Sequence, residues 1–187
     1  MKKKTLIITL AAAVIILAAA GGTLAWLTDT ESVENTFTAG NVSITLTETK
    51  NIVDGQWAGK LIPGSTLEKD PTVTVAAGSE DSWVYVRVEM PKELDDVLKA
   101  LSIDSTKWTV VAQDDAAEGF DQVYGYNTAL QATEYATLFN TVEVIGAGID
   151  NTELSAANEK IMKITAYAIQ AENMTTLEDA WTAYNSN

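Results

Sequence analysis

The side chains that carry acid, base, nucleophile and metal chemistry are unevenly supplied in this chain. It holds 26 Asp and Glu against 12 Lys and Arg, with no His and no Cys. A zinc site built from imidazole and thiolate therefore has no donors. A Ser-His-Asp triad, a Cys-His pair and an HExxH helix are excluded on the same ground. No Ser stands in a GxSxG elbow. The carboxylates lie nearest one another as Asp95-Asp96 and Asp114-Asp115. Adjacent residues of a strand or helix point apart, so such pairs make poor general acid and base partners. Asp114, Asp115 and Glu118, and separately Glu80 and Asp81, are candidate calcium ligands. Neither group has EF-hand spacing, and solvated loop charge is the expected role. Trp57, Trp83, Tyr85, Trp108, Tyr124, Tyr126, Trp181 and Tyr184 read either as a sugar-stacking platform or as core, the commoner role in β-sandwiches. The expectation is a chain without catalytic residues, cofactor or metal, and not an enzyme.

The elements that would carry these residues are mostly strands. Val42, Ile44 and Leu46 alternate with Ser43, Thr45 and Thr47, the period of a half-buried strand. Asn51 to Gly59 reads as a loop or hairpin, and Pro63-Gly64 as a turn. Thr72 to Ala76 is a short strand. Ser82 to Met90 is the clearest one, with Val84, Val86, Val88 and Met90 on one face and Trp83, Tyr85, Arg87 and Glu89 on the other. Bulk on both faces marks it as central. Glu93 to Leu101 has helical spacing at Leu94, Val97, Leu98 and Leu101. Strands are expected at Lys107 to Val111, Val123 to Tyr126 and Ile161 to Gln170, with Thr137 to Ile145 bulged near Asn140. Thr152 to Asn158 suits a turn or two of helix. A final helix from Leu177 to Tyr184, capped by Thr176, should dock through Leu177, Trp181 and Tyr184. Short strands without a βαβ succession point to an all-β antiparallel β-sandwich with helical insertions.

The first 25 residues read as an export signal. Lys2, Lys3 and Lys4 precede an apolar run from Leu6 to Ala20, then Gly21-Gly22 and a cut between Ala25 and Trp26. The apolar run is shorter than the roughly 20 residues that span hydrocarbon, so the membrane is met through the signal alone, before cleavage. Losing the three lysines takes the net charge from −14 to −17. That charge opposes nucleic acid and anionic lipid, and neither is an expected partner. With no disulfide to staple it, the exported domain must rest on packing or partners.

The stretch Gly21-Gly22-Thr23-Leu24-Ala25-Trp26-Leu27-Thr28-Asp29-Thr30, followed by Asn35-Thr36-Phe37-Thr38-Ala39-Gly40-Asn41-Val42, resembles the export signal and mature start of the TasA/camelysin family of Gram-positive bacteria. Leu61-Ile62-Pro63-Gly64-Ser65 with Lys69-Asp70-Pro71, and the run Ala166 to Glu172, are similar to later parts of that family. The resemblance implies a jelly-roll sandwich, processing by a SipW-type signal peptidase, and a secreted, cell-surface or biofilm-matrix location. It also implies fibres, in which residues 26–40 of one subunit are donated as a strand to the next, with Trp26, Leu27, Val33 and Phe37 as anchors. The alternatives are a fold-back of the same arm within its own chain, and a monomeric, glycan-type binding module. Camelysin-like members are classed as metallopeptidases, an activity for which these residues offer no ligands. The absence of an LPxTG signal and of an apolar tail after Tyr184 argues against covalent wall anchoring.

Overall fold

The computed structural model describes residues 41–53, 56–57, 59–115 and 118–186. The export signal, the cleavage pair Ala25 and Trp26, and the anchors Trp26, Leu27, Val33 and Phe37 lie outside the described residues. Contacts group Ala39–Asn187 into one unit.

The chain forms β1 (Ile44–Thr47), β2 (Ile52–Val53), β3 (Gln56–Trp57), β4 (Thr66–Glu68), β5 (Thr72–Val75), β6 (Ser82–Pro91), α1 (Lys92–Asp95), β7 (Trp108–Gln113), β8 (Gly119–Tyr126), β9 (Tyr135–Thr137), β10 (Thr141–Glu143), α2 (Asn151–Ala157), β11 (Lys163–Gln170) and α3 (Leu177–Asn185). Every pairing is antiparallel. One layer is the four-stranded sheet β11-β6-β8-β7. The other is β1-β5-β9, continued by the pair β10-β4. The two parts of this second layer are one ladder bent at Pro71. The Leu138 amide donates to the Pro71 carbonyl at 3.0 Å, and the Lys69 amide to the Asn140 carbonyl at 3.1 Å. Proline, with no N–H to give, suits the break. In place of the bulge expected near Asn140 the strand is interrupted, β9 ending at Thr137 and β10 beginning at Thr141. The architecture is the expected all-β antiparallel sandwich.

Central strand β6 explains the layering. Val84, Val86, Val88 and Met90 turn inward and pack with Val73, Val75, Leu138, Phe139, Val142 and Val144 of the opposite layer. Trp83 and Tyr85 turn outward under α3, where Leu177 and Ala180 cover them. Helix α3 starts on its expected cap, with the Asp179 amide donating to Thr176 Oγ1 at 3.1 Å. Gly125 of β8 is the slot for this helix. A Cβ there would lie 2.7 Å from a Leu177 methyl.

The expected helix from Glu93 to Leu101 is cut short at Asp95. Residues 97–99 instead extend the second layer. The Ile145 amide donates to Val97 at 2.9 Å, and the Lys99 amide to Glu143 at 2.8 Å. Leu94, Val97 and Leu98 are buried as the spacing required. The β10 edge offered their backbone a better set of partners than another helical turn. β8 is also longer than expected, beginning at Gly119, whose φ of +123 brings it against Pro91. A side chain at Gly119 would strike the Met90 carbonyl and approach the Lys92 amide to 2.7 Å, so only glycine fits.

Candidate assembly groove and the family match

The two sides of the sandwich close differently. On the β7/β9 side, Trp108 seals the gap. It is 2% exposed, its indole N–H donates to the Thr137 carbonyl at 3.1 Å, and its ring meets Tyr126 edge-on at 5.0 Å. On the opposite side β1 and β11 approach one another. Among the described residues, β1 pairs with β5 alone and β11 with β6 alone, so each keeps an open edge.

Between these edges runs an open groove of about 1350 Å³. Its apolar wall includes Leu46, Leu61, Leu67, Met162 and Ile164. Helix α2 forms one lip. That helix is held by a capping box in which Asp150 accepts from the Thr152 and Glu153 amides at 2.7 and 3.0 Å, and the Glu153 carboxylate accepts from the Asp150 amide at 2.9 Å. Lys60, Lys69 and Lys160 lie along the groove. Lys69 is 6% exposed and gives both its close bonds to Glu48, at 2.6 and 2.7 Å. A buried ammonium of this kind is tolerated because its partner carboxylate is in place.

Leu46 shows why the groove is unusual. It shares the face of β1 with Ile44, which packs on the core, and so points between the layers. Yet it is 36% exposed. An inward-pointing leucine at a sandwich edge is covered when the edge is complete. Among the described residues nothing covers Leu46 fully. Ile161, at 75% exposed, adds to the uncovered apolar surface.

Carboxylates elsewhere serve structure. Asp70 accepts from the Thr49 amide at 2.8 Å, the Lys50 amide at 3.0 Å and the Thr49 hydroxyl at 2.5 Å, tying the end of β1 to β5. Burial raises the affinity of Asp70 for a proton, but these bonds together outweigh it and hold its carboxyl below the usual range. Asp121 is likewise held low, first by its bonds from Arg87, against a smaller opposing effect of burial. Both sites therefore bind protons more weakly folded than unfolded. Their stabilisation is complete above the ordinary carboxylate value of about 3.9 and is lost as the pH falls through the depressed values. Asp95, raised by burial and then by Asp96, works in the opposite sense and offsets part of the loss. Thermal midpoints between pH 6 and 2.5 should fall steadily below about pH 4, and Asp121→Asn should flatten that fall. An unchanged slope in the variant would show that Asp121 plays no part.

Of the candidate calcium ligands, Glu80 and Asp81 occupy the β5–β6 turn, and Asp115 accepts from the Gln113 side chain. Among the described residues, no three Asp or Glu side chains converge. The broad aromatic platform does not assemble. Trp83, Tyr85, Trp108 and Tyr124 are buried, and they divide between the interlayer core and the space beneath α3. The groove was not foreseen as a site. Its signal in the sequence was Leu46, an inward residue on a strand with few apolar neighbours.

The family model described as camelysin metallo-endopeptidase matches residues 1–97, just over half of the chain. The chain belongs to the camelysin family. The matched stretch includes β1 to β6 and α1, and so one wall of the groove. The likeness to TasA/camelysin proteins drawn from the motifs thus holds. No curated protein and no solved structure matches the chain. The camelysin family carries the name of a metallo-endopeptidase, which leans against the expectation that this chain is not an enzyme. The donor set does not fit a zinc centre, however. The whole chain lacks His and Cys, and the described carboxylates do not gather. Among the described residues no helix is long and apolar enough to cross a membrane.

Proposed function

We propose that this camelysin-family protein is exported, is cut after Ala25 by a signal peptidase of the SipW type, and acts outside the cell as a structural protein. Residues 26–40 of one subunit enter the open groove of the next as an added strand, and copies join into fibres. The observation that carries this reading is Leu46, which faces the interlayer space and is nevertheless 36% exposed between two open strand edges. An added strand would give backbone bonds to an open edge and fill the apolar wall with alternate side chains. Val33 and Phe37 have the parity to point inward together. Glu34 has the opposite parity and would face solvent, whereas Glu31 and Asp29 share the parity of Val33 and Phe37 and reach solvent only with a twist or beyond the end of the apolar wall. Fifteen extended residues reach about 50 Å, ample to leave one subunit and line the groove of another.

The test compares a chain starting at Trp26 with one starting at Asn41, both concentrated at moderate salt and imaged. Fibres from the first and monomers from the second are expected. Monomers from both, with residues 26–40 equally protected from protease at every concentration, would favour the fold-back arrangement and sink strand donation.

The family's name favours a second reading, proteolysis. Since the zinc donors are missing, any such activity would have to come from other groups. Peptide hydrolysis by the purified protein that disappears with a chelator would establish it against the structural reading.

A further inference from the structure

On the other side of the molecule, over the outer face of the four-stranded sheet, α3 stops short of the sheet's end and leaves a cleft of about 260 Å³. We propose that this cleft binds one neutral sugar ring. Its wall is aromatic. Trp181 and Tyr184, one turn apart on α3, stand with their rings within 10° of parallel and 5.7 Å apart, and Tyr167 of β11 abuts both. Tyr184 is 38% exposed, so this wall reaches solvent. The floor is polar and rigid. Arg87 of β6 is clamped by Asp121 of β8 through Nε–Oδ1 at 2.8 Å and Nη2–Oδ2 at 2.5 Å. The clamp uses two N–H groups of the guanidinium fork and leaves others to donate, while the carboxylate keeps lone pairs to accept. Asn185 stands at the rim.

The electrostatics select the ligand class. Of the charged groups lining the cleft, Arg87 is neutralised by Asp121 and Asp114 adds a second carboxylate, while Lys163 and Glu89 pair with each other at 2.9 Å outside the lining. An anion would meet the carboxylates and a cation the guanidinium. A neutral molecule with one apolar face and a hydroxyl edge matches both wall and floor. Adjacent hydroxyls suit the fixed donor and acceptor of an Arg–Asp pair, and the C–H face of a pyranose suits the exposed Tyr184 ring, which Trp181 backs by stacking. The volume is below the about 300–1,000 Å³ of most small-molecule sites, which limits occupancy to about one ring. The cleft and the assembly groove lie on different faces, so this site does not depend on the fibre reading.

The purified chain starting at Trp26, kept dilute enough to remain monomeric, is titrated with glucose, galactose and N-acetylglucosamine, with glucuronate and choline as charged comparators. The Trp181 indole N–H resonance, assigned by its loss in Trp181→Phe, is followed by NMR. At least one neutral sugar should shift it saturably at about millimolar concentration, and each charged compound should bind at least about fivefold more weakly. A tetrasaccharide of the same sugar should bind within about threefold of the single ring, as end-on capture requires. Tyr184→Ser should weaken binding about fivefold or more while the variant still melts cooperatively, at a slightly lower temperature. If that variant does not fold, protection of Trp181 from acrylamide quenching by sugar in the unaltered protein decides the matter. No shift with any neutral sugar at about 50 mM, or tighter binding of glucuronate or choline, would overturn the proposal.

Discussion

Leu46→Arg should abolish fibre growth and leave the monomer folded, at a modest cost in stability. In the isolated subunit this side chain already meets water, at 36% exposed, so an arginine there can keep its charge solvated. The packing that this partly covered leucine does make should cost on the order of 1 kcal/mol when lost. Under a donated strand the same guanidinium would be shut between two layers. An uncompensated buried charge costs several kcal/mol, more than the contacts of one short strand restore. The variant keeps its own residues 26–40, so it should still donate to a normal subunit and cap it. Mixed with unaltered protein at a minor fraction, it should shorten fibres rather than merely dilute them. Electron microscopy and sedimentation would read both effects, and thermal melting would confirm the intact fold. Fibres of normal length from the pure variant would mean that the groove is not where subunits join.

Tyr85→Ala should be the most damaging single change on the outer face of the four-stranded sheet. Tyr85 is fully buried at the centre of β6, its ring 4.9 Å from that of Trp181 and its hydroxyl donating to the Leu177 carbonyl at 2.9 Å. Truncating a large buried aromatic costs about 3–5 kcal/mol. That is a large share of the about 5–15 kcal/mol that holds a domain together. Tyr85→Phe keeps the ring and loses the hydrogen bond, which is worth about 1 kcal/mol. Urea unfolding of the two variants separates packing from hydrogen bonding. The near-ultraviolet dichroism of Trp181 should weaken in the alanine variant as α3 loosens. Equal costs for the two would show that the hydroxyl, not the ring, seats the helix. Burial, reinforced by Glu178, also pushes the Tyr85 phenol well above its usual value, so it stays protonated across the whole neutral range.

Much of this fold is legible residue by residue. Ser82 to Met90 declares itself a central strand because both of its faces carry bulk, and β6 is buried on both. Thr176 declares a helix start because its hydroxyl can take an orphan amide, and it does so. The helix expected to run to Leu101 fails for an equally specific reason. The spacing of Leu94, Val97, Leu98 and Leu101 reports which side chains are buried, and a strand edge alongside β10 buries most of them as well as a helix would. Periodicity over one short stretch does not separate the two. The sites follow the same division. The lack of imidazole and thiol is visible at once. The groove is not, since its wall comes from segments as distant as Leu46, Leu67 and Ile164.

By itself the amino-acid sequence determined the class of fold, the family, and the absence of any ordinary zinc or triad chemistry. Those depend on local alternation, short motifs and composition, which need no partner elsewhere in the chain. Tertiary structure alone decided that one side of the sandwich is sealed by Trp108 while, among the described residues, the other stays open at β1 and β11. It also decided that Arg87, Asp121, Trp181 and Tyr184 share one cleft. Closure of a sheet edge and the meeting of a helix with a strand depend on contacts far apart in the chain. Their energies come from layers brought together, and no short window of residues contains them.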